Sequence, residues 1–326
     1  MEDIWVFIEQ DEGEVEGSSL EVLSRARELG DKYGYQVTSL LFGAEVKDLL
    51  GDIGRYGADR IIYVEDENLR VYNAEVYSKV LIELVKKHNP NSILFSATRN
   101  GRDLAGRIAI PFNSGLLAHV ISLDFDEEGN LTGRVPGFGG SIAAVVKCIN
   151  SRPQLATITP GVFEARIFDR ECIYIEEKVD IDLTPKNYIV ISREKTPTKD
   201  ISKSDKVVIA GQGTGGELDL VYELAKLLDA DVGVTRPLAD RGLASRDIQV
   251  GSTGVNLKSK VVLILGASGA PHFVSGIKDC NLVISINTDP DAPIREHSDY
   301  FIVGDIFKVI PKLIELIRGG GGCLEI

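Results

Sequence analysis

Apolar residues recur along this chain in two alternating rhythms, short unbroken runs and helical stripes, and the order in which they alternate predicts its architecture. Runs at 4–8, 35–42, 59–64 and 92–96 suit buried strands. Between them lie amphipathic stretches: Leu20, Leu23, Ala26 and Leu29 behind a cap at Ser18 or Ser19, then Val76, Val80, Leu81, Leu84 and Val85 behind a cap at Asn73. A further helix is predicted at 100–110. Strands and helices alternating at this spacing imply right-handed crossovers and a mostly parallel sheet, so the first half reads as α/β. After Leu116 the pattern changes to strands at 118–125, 143–149 and 155–159, with turns at 127–130 and 136–140. These are expected as antiparallel additions at one edge of the sheet.

The stretch 193–205 is charged, rich in hydroxyls and contains a proline, with no apolar period, and is expected to be a linker. Beyond it the strand rhythm returns at 206–210, 231–234, 261–265, 282–286 and 300–303, closed by a helix at 306–317. That predicts a second, doubly wound parallel sheet with its ligand crevice outside the carboxyl ends of the strands. The expectation is two domains, 1–192 and 206–326, and 326 residues with 44% hydrophobic content can give each a core.

Charge and cysteine usage narrow the class. Thirty-six Lys plus Arg against 49 Asp plus Glu give a net charge of −13, which disfavours a nucleic-acid partner. Four cysteines without C-x-x-C spacing point to buried thiols and away from zinc, iron–sulfur or a redox pair, so no metal is expected. The start MEDIW carries neither a basic segment nor an apolar core, and no stretch is apolar enough to span a bilayer. The expectation is a cytoplasmic chain with no membrane insertion. The terminal CLEI fits a prenylation box only superficially, because Glu325 interrupts the aliphatic pair.

Candidate chemistry gathers at the predicted strand ends. Residues 98–103 precede a helix but lack the glycine and lysine spacing of a phosphate loop, so a structural cap with a salt bridge is expected there. GQGTGG at 211–216 is a literal G-x-G-x-x-G, with Asp229 and Asp231 about where a ribose-binding acid would fall. A plain tight turn explains it equally well. The ends of the later strands carry Thr235, Arg236 and Pro237, then QVGSTG at 249–254, SGAPH at 268–272, Asn287 and Asp305. Hydroxyls, amides, one arginine and one histidine on one edge suit a large polar cofactor with a pyrophosphate, and a helix starting at Pro271 would aim its positive end at an anion. No nucleophile–base pair and no metal cluster appears among them, so no catalytic residue is assigned. Arg236 reads either as a surface partner of Asp240 or Asp247, or as a guanidinium against an electron-rich ring, where it would favour a reduced, anionic form. Thr253 is a turn hydroxyl or a donor to a ring nitrogen, His272 a helix-start residue or a base, and Asp305 an N-cap that could also hold a ribose.

Taken together, QVGSTG at 249–254, GASGA at 266–270, GIKD at 276–279, INTDPDAP at 286–293 and VGDIFKVIP at 303–311 closely resemble the α subunit of electron transfer flavoproteins. RPQLAT at 152–157 and PGVF at 160–163 are similar to that family's first domain. The resemblance implies a nucleotide-hydrolase-like first domain in contact with a partner, a β subunit as that partner, and one FAD held mainly by the second domain. It also implies electron traffic between acyl-CoA or other dehydrogenases and a quinone- or ferredoxin-linked acceptor. By position it would assign the flavin to Gln212, Thr235, Arg236, Gln249, Val250, Gly251, Ser252, Thr253, Ser268, Gly269, Ala270, Pro271, His272, Asn287, Asp305 and Ile306. Arg236 and Thr253 would lie by the isoalloxazine ring and the Ser268 turn by the pyrophosphate. Two positions depart from the family pattern: Gln212 stands where an arginine is usual, in a shorter turn, and His272 comes one place early, with Phe273 in the usual histidine position. Three alternatives stay open at this point. They are a flavin-bifurcating complex that oxidises NADH with a second flavin on the β subunit, an NAD-dependent dehydrogenase built on residues 211–216, and a nucleotide-binding scaffold.

Overall fold

The computed structural model describes residues 2–137, 142–168, 170–191 and 200–319. These residues form two compact units, one up to residue 191 and one from residue 200. Residues 193–199 of the expected linker, 138–140 of the expected second glycine turn and the terminal segment with Cys323 lie outside the described residues.

The first unit opens with β1 (Asp3–Ile8), a small hairpin of β2 (Gln10–Asp11) and β3 (Glu14–Val15), and α1 (Gly17–Tyr33). It continues through β4 (Gln36–Gly43), α2 (Leu50–Gly54), β5 (Arg60–Glu65), α3 (Ala74–His88), β6 (Ser92–Ser96) and α4 (Arg99–Ala109). Then come β7 (Leu116–Val120), β8 (Ser122–Phe125), β9 (Leu131–Gly137), β10 (Ile142–Lys147), β11 (Gln154–Ile158) and β12 (Ile173–Glu176). Seven strands make one sheet in the order β12-β5-β4-β1-β6-β11-β7, and every pairing in it is parallel. Each face carries its own core, one around Ile4, Val6, Leu23 and Leu41, the other around Trp5, Phe7, Leu81 and Phe95. This alternation of β1 residues between two cores is what a buried parallel strand requires.

Two local expectations are corrected. Neither 118–125 nor 155–159 is an antiparallel addition to the main sheet: 118–125 divides into β7, a parallel edge strand, and β8, and β11 pairs in parallel between β6 and β7, while β8, β9 and β10 form a separate antiparallel sheet. The turn at 127–130 does join an antiparallel pair, β8 and β9, but a local pattern cannot show that the chain then returns to the interior of the main sheet. Neither Ser18 nor Ser19 caps α1. The N-cap is Glu16, whose carboxylate accepts from the Ser18 N–H, and both serines sit inside the first turn. The Asn73 cap forms as expected, with its side-chain oxygen accepting from the N–H groups of Glu75 and Val76.

The second unit contains β13 (Lys206–Ala210), α5 (Asp219–Leu228), β14 (Asp231–Val234), α6 (Arg236–Asp240), β15 (Val261–Leu265), α7 (Pro271–Val274), β16 (Leu282–Asn287), β17 (Tyr300–Val303) and α8 (Ile306–Arg318). Its sheet runs β14-β13-β15-β16-β17, all parallel. Apolar clusters lie on both faces, one built with α5 and α8, the other with Val250, Phe273, Ile277 and Ile294. Within this unit the strand order is 2-1-3-4-5, which places the topological switch point between β13 and β15. Among the described residues no helix is long and apolar enough to cross a membrane.

Candidate functional site

Because the five strands of the second sheet are parallel, their carboxyl ends at Ala210, Val234, Leu265, Asn287 and Val303 share one edge. Four interstrand spacings make that edge roughly 19 Å long, a span for an extended ligand. At the β14 end, Thr235 donates its N–H to the Ala210 carbonyl, and its side chain is 94% buried with a hydroxyl that meets no partner. A buried hydroxyl left unbonded costs about 1–3 kcal/mol; Ser39, Ser92, Ser151 and Ser259 carry such hydroxyls too, and Thr235 is the one that follows a strand carboxyl end of the second sheet, where a ligand would supply the partner.

The run 249–254 crosses to the same edge. Val250 donates its N–H to the Val234 carbonyl, and Gln249, itself buried, donates through Nε2 to Thr253 Oγ1 at 3.0 Å. Gly251 has φ +137°, and a Cβ there would lie 2.6 Å from the His272 carbonyl oxygen. That closeness lets the Ser252 N–H donate to the same carbonyl at 2.8 Å, while Ser252 Oγ lies 3.1 Å from His272 Nδ1. The two glycine-bearing runs are thus latched together, as Gly276 shows again: its Cβ would sit 2.5 Å from Gly251 N. The sequence reading did not single out Gly276 for the site, although it stands in the quoted GIKD run.

After β15 the chain turns through Gly266 and Gly269, both at positive φ. Within the described residues the N–H groups of Ser268, Gly269 and Ala270 donate to nothing, while the Ser268 carbonyl accepts from the Ile294 N–H. Three unbonded donors in one turn, with Ser268 and Ala270 exposed and Gly269 buried between them, are an anion-binding arrangement. The helix expected from Pro271 is shorter than its sequence suggests. α7 is four residues, because Ser275 and Gly276 close its only turn, so free turn N–H groups rather than a helix dipole supply the positive end. Phe273 is buried in the core beneath, and His272 is exposed beside Ser252.

The remaining expected residues divide. Asn287 Nδ2 donates to the Ala267 carbonyl and its Oδ1 accepts from the Asp289 N–H, so it braces the turn. Asp305 caps α8 by accepting from the Phe307 N–H. Val250 and Ile306 are core residues, which leaves only their backbones at the edge. Arg236 is exposed and its Nε donates to Asp240 Oδ2 at 3.1 Å, the surface pairing that the sequence allowed. Gln212 is exposed in a short 3-10 turn. Pro271 starts α7 and is likewise exposed.

The glycine turn at 211–216 is explained by packing. A Cβ on Gly211 would lie 2.4 Å from the Gly266 carbonyl oxygen, and one on Gly213 2.9 Å from it, so these glycines let two neighbouring turns touch at the switch point. Gly216 is left-handed at φ +98°, and α5 begins only at Asp219, so the third glycine does not sit in a helix as a dinucleotide fingerprint requires. Asp229 caps the end of α5 and Asp231 begins β14, so both lie at the opposite edge of the sheet from the strand carboxyl ends. That corrects the expectation of a ribose acid there and removes the main support for a nicotinamide site.

Elsewhere, residues 98–103 form the expected cap: Thr98 Oγ1 accepts from the Gly101 N–H, and the Glu9 carboxylate accepts from Thr98 Oγ1 and Asn100 Nδ2. Cys148 is buried and Cys172 and Cys280 half-buried, and burial raises all three thiols, Cys172 to about 11. They are inert at neutral pH. Among the described residues no group of three or more His, Cys, Asp or Glu is placed to hold a metal ion. A small hollow at Lys312, Glu315 and Leu316 lies at the end of α8, away from the strand carboxyl ends of its own sheet, and another at Glu2, Asn89 and Arg152 lies within the first unit.

An orphaned hydroxyl, three free turn N–H groups and exposed Ser252, Thr253, His272 and Arg236 along one edge fit the FAD that the resemblance implies. Comparison with known proteins agrees. Residues 4–181 match the electron transfer flavoprotein domain, and residues 200–278 match the electron transfer flavoprotein FAD-binding domain. The chain is 40% identical over 323 residues to the electron transfer flavoprotein subunit alpha of Thermoanaerobacterium thermosaccharolyticum, covering 97% of this chain and 98% of that one. It is 37% identical to Protein FixB of Clostridium saccharobutylicum, covering 95% of each. It is also 32% identical to the lactate dehydrogenase (NAD(+),ferredoxin) subunit LctC of Acetobacterium woodii, covering 97% of this chain and 77% of that one. With its two domains matched in order and 97% of its length aligned, the chain belongs to the electron transfer flavoprotein α-subunit family and is an FAD-binding electron transfer subunit.

Proposed function

We propose that the chain holds its FAD along the carboxyl edge of the second sheet and acts as the α half of a heterodimer. In this reading the first domain contacts a β subunit, and the pair carries electrons in the cytoplasm from an acyl-CoA or other dehydrogenase to a quinone- or ferredoxin-linked acceptor. The observation that carries it is the set of polar groups this edge leaves without partners of their own, above all the Thr235 hydroxyl and the N–H groups of Ser268, Gly269 and Ala270.

Bound FAD supplies the redox chemistry, accepting and releasing electrons singly or in pairs. The chain supplies position and charge. The free N–H groups of 268–270 would donate to the pyrophosphate, and Asn287, by fixing Ala267, would keep that turn open. Thr235 would donate its hydroxyl to the cofactor. Arg236 would place its guanidinium against the isoalloxazine ring, where positive charge favours the reduced form, with Thr253 beside the ring's polar edge. Ser252 and His272 hold the two runs together beneath it. Gln249 and Gly251 shape the first run, and Asp305 with the Ile306 backbone closes the far end.

The test is co-expression with the gene for the partner β subunit and a visible spectrum of the purified complex. One FAD per heterodimer, with dissociation constants raised in Thr235→Val and Arg236→Ala, is the expected result. A colourless complex that added FAD does not turn yellow would overturn the reading. The similarity to a subunit of an NAD(+),ferredoxin-dependent dehydrogenase favours a second reading, a bifurcating complex. Two flavins per heterodimer and bleaching by NADH would select it.

A further inference from the structure

We propose that Asp240 is a positioning residue that aims Arg236 at the cofactor, an inference that rests on the reading of Arg236 given above. One carboxylate serves two arginines from two different segments. Asp240 Oδ2 accepts from Arg236 Nε at 3.1 Å across the single turn of α6, and Oδ1 accepts from Arg246 Nη2 at 2.9 Å. Arg246 belongs to the short stretch that leads straight into Gln249, whose N–H donates to the Arg246 carbonyl. Asp240 therefore ties the end of β14 to the entrance of the run 249–254, the two segments that flank the proposed ring site.

The pairing is selective about which atoms it uses. Taking Nε commits the inner edge of the Arg236 guanidinium and leaves both Nη groups without a partner among the described residues. A guanidinium held at Nε keeps its plane and its two terminal donors in one orientation, whereas an unrestrained arginine samples many rotamers. Stability does not account for the arrangement. The side chains of Arg236, Asp240 and Arg246 are 65%, 39% and 66% exposed, and pairs so exposed contribute little to folding. What the carboxylate changes is where the Arg236 charge points.

The sign of one measurement separates aiming from simple charge. Asp240→Ala removes a negative charge near the ring, so if Asp240 acted only through its field, the flavin reduction potential would rise. If it aims Arg236, losing it lets the guanidinium swing away and the potential falls, in the same direction as in Arg236→Ala and by less. The experiment measures flavin potential, FAD dissociation constant and thermal midpoint for the heterodimer carrying Asp240→Ala, Arg236→Ala and both. The expected result is a lowered potential and FAD affinity weakened about three- to fivefold in Asp240→Ala, the scale of one exposed ion pair. The thermal midpoint should hardly move, and Asp240→Ala should have no further effect when Arg236 is already alanine. A raised or unchanged potential in Asp240→Ala, beside a lowered one in Arg236→Ala, overturns the aiming role and leaves the Arg236 reading standing. If Arg236→Ala changes neither potential nor affinity, both fall.

Discussion

The two parallel sheets end in the same kind of edge, yet one edge is closed on itself and the other is left open. In the first unit the carboxyl ends of β1 and β6 bring together Glu9, Ser18, Ser96, Thr98 and Asn100, and these groups bond one another: Ser96 Oγ donates to Ser18 Oγ, and the Glu9 carboxylate takes donors from Thr98 and Asn100. In the second unit the corresponding edge keeps a buried Thr235 hydroxyl and the N–H groups of 268–270 without partners. Topology alone marks both edges as ligand crevices. The difference teaches that a site in such a sheet is recognised by what the chain leaves unbonded, because every internal partner removes a group that a ligand could use.

The largest effect should come from filling a glycine at each edge. A Cβ on Gly101 would lie 2.1 Å from the Ser96 carbonyl oxygen, and one on Gly269 2.2 Å from Ile294 N with φ at +89°. Gly101→Ala and Gly269→Ala should each cost about 2–4 kcal/mol through crowding, with backbone strain added at Gly269. Urea unfolding of each variant measures that cost. Titration with FAD under folding conditions should find weakened binding in Gly269→Ala alone. Loss of FAD by a folded Gly101→Ala protein would break the contrast between the edges.

A smaller effect should follow from removing one hydroxyl on each side. Thr235→Val deletes an orphaned group of similar shape, so the FAD-free protein should be unchanged or gain up to about 1 kcal/mol, while FAD binding weakens about tenfold. Thr98→Val removes a helix cap and should cost about 1 kcal/mol with no change in FAD affinity. Denaturation midpoints with and without FAD distinguish the four states. A Thr235→Val protein that loses stability without FAD would mean that its hydroxyl already has a partner within the chain.

Much of the open edge is legible in the amino-acid sequence. Strand–helix alternation fixes two parallel sheets, and short motifs with glycine and hydroxyl residues bring Thr235, the 249–254 run and the 268–272 run to one edge, because residues that end parallel strands must share it. Four things are not legible. The β11 strand slips into the interior of the first sheet, since local patterns are silent about long-range pairing. The turn at 211–216 looks like a phosphate loop, but Gly211 and Gly213 are there for contact with Gly266, and a motif does not say which neighbour requires the small residue. α7 stops after one turn, closed by Ser275 and Gly276, which the Pro271 start signal does not reveal. The closed edge is likewise silent: nothing in Glu9 as a letter announces that it will be bonded to Thr98 and Asn100, which lie close only after β1 and β6 pair.

The smallest effect is one of sign, and it probes why the first edge is closed. Burial raises the Glu9 carboxyl above its ordinary value, and the bonds from Thr98 and Asn100 only partly offset that. The Glu75 carboxyl is instead held down to about 2, first by Lys79 and then by the N–H groups of Asn187 and Lys186. A lowered carboxyl contributes stability that is fully present above about pH 4.5 and is lost as pH falls toward about 2, so wild type should lead Glu75→Gln by a margin that shrinks across that window. A raised carboxyl works the other way: its cost appears as pH rises above about 4.5, so the margin of wild type over Glu9→Gln should shrink with rising pH. Urea midpoints of both variants across the acid range read the two slopes. If they share a sign, Glu9 is an ordinary helix-capping anion and its burial does not explain the closed edge. If they oppose each other, the first sheet keeps a costly half-buried carboxyl in the place where the second sheet keeps its unbonded donors.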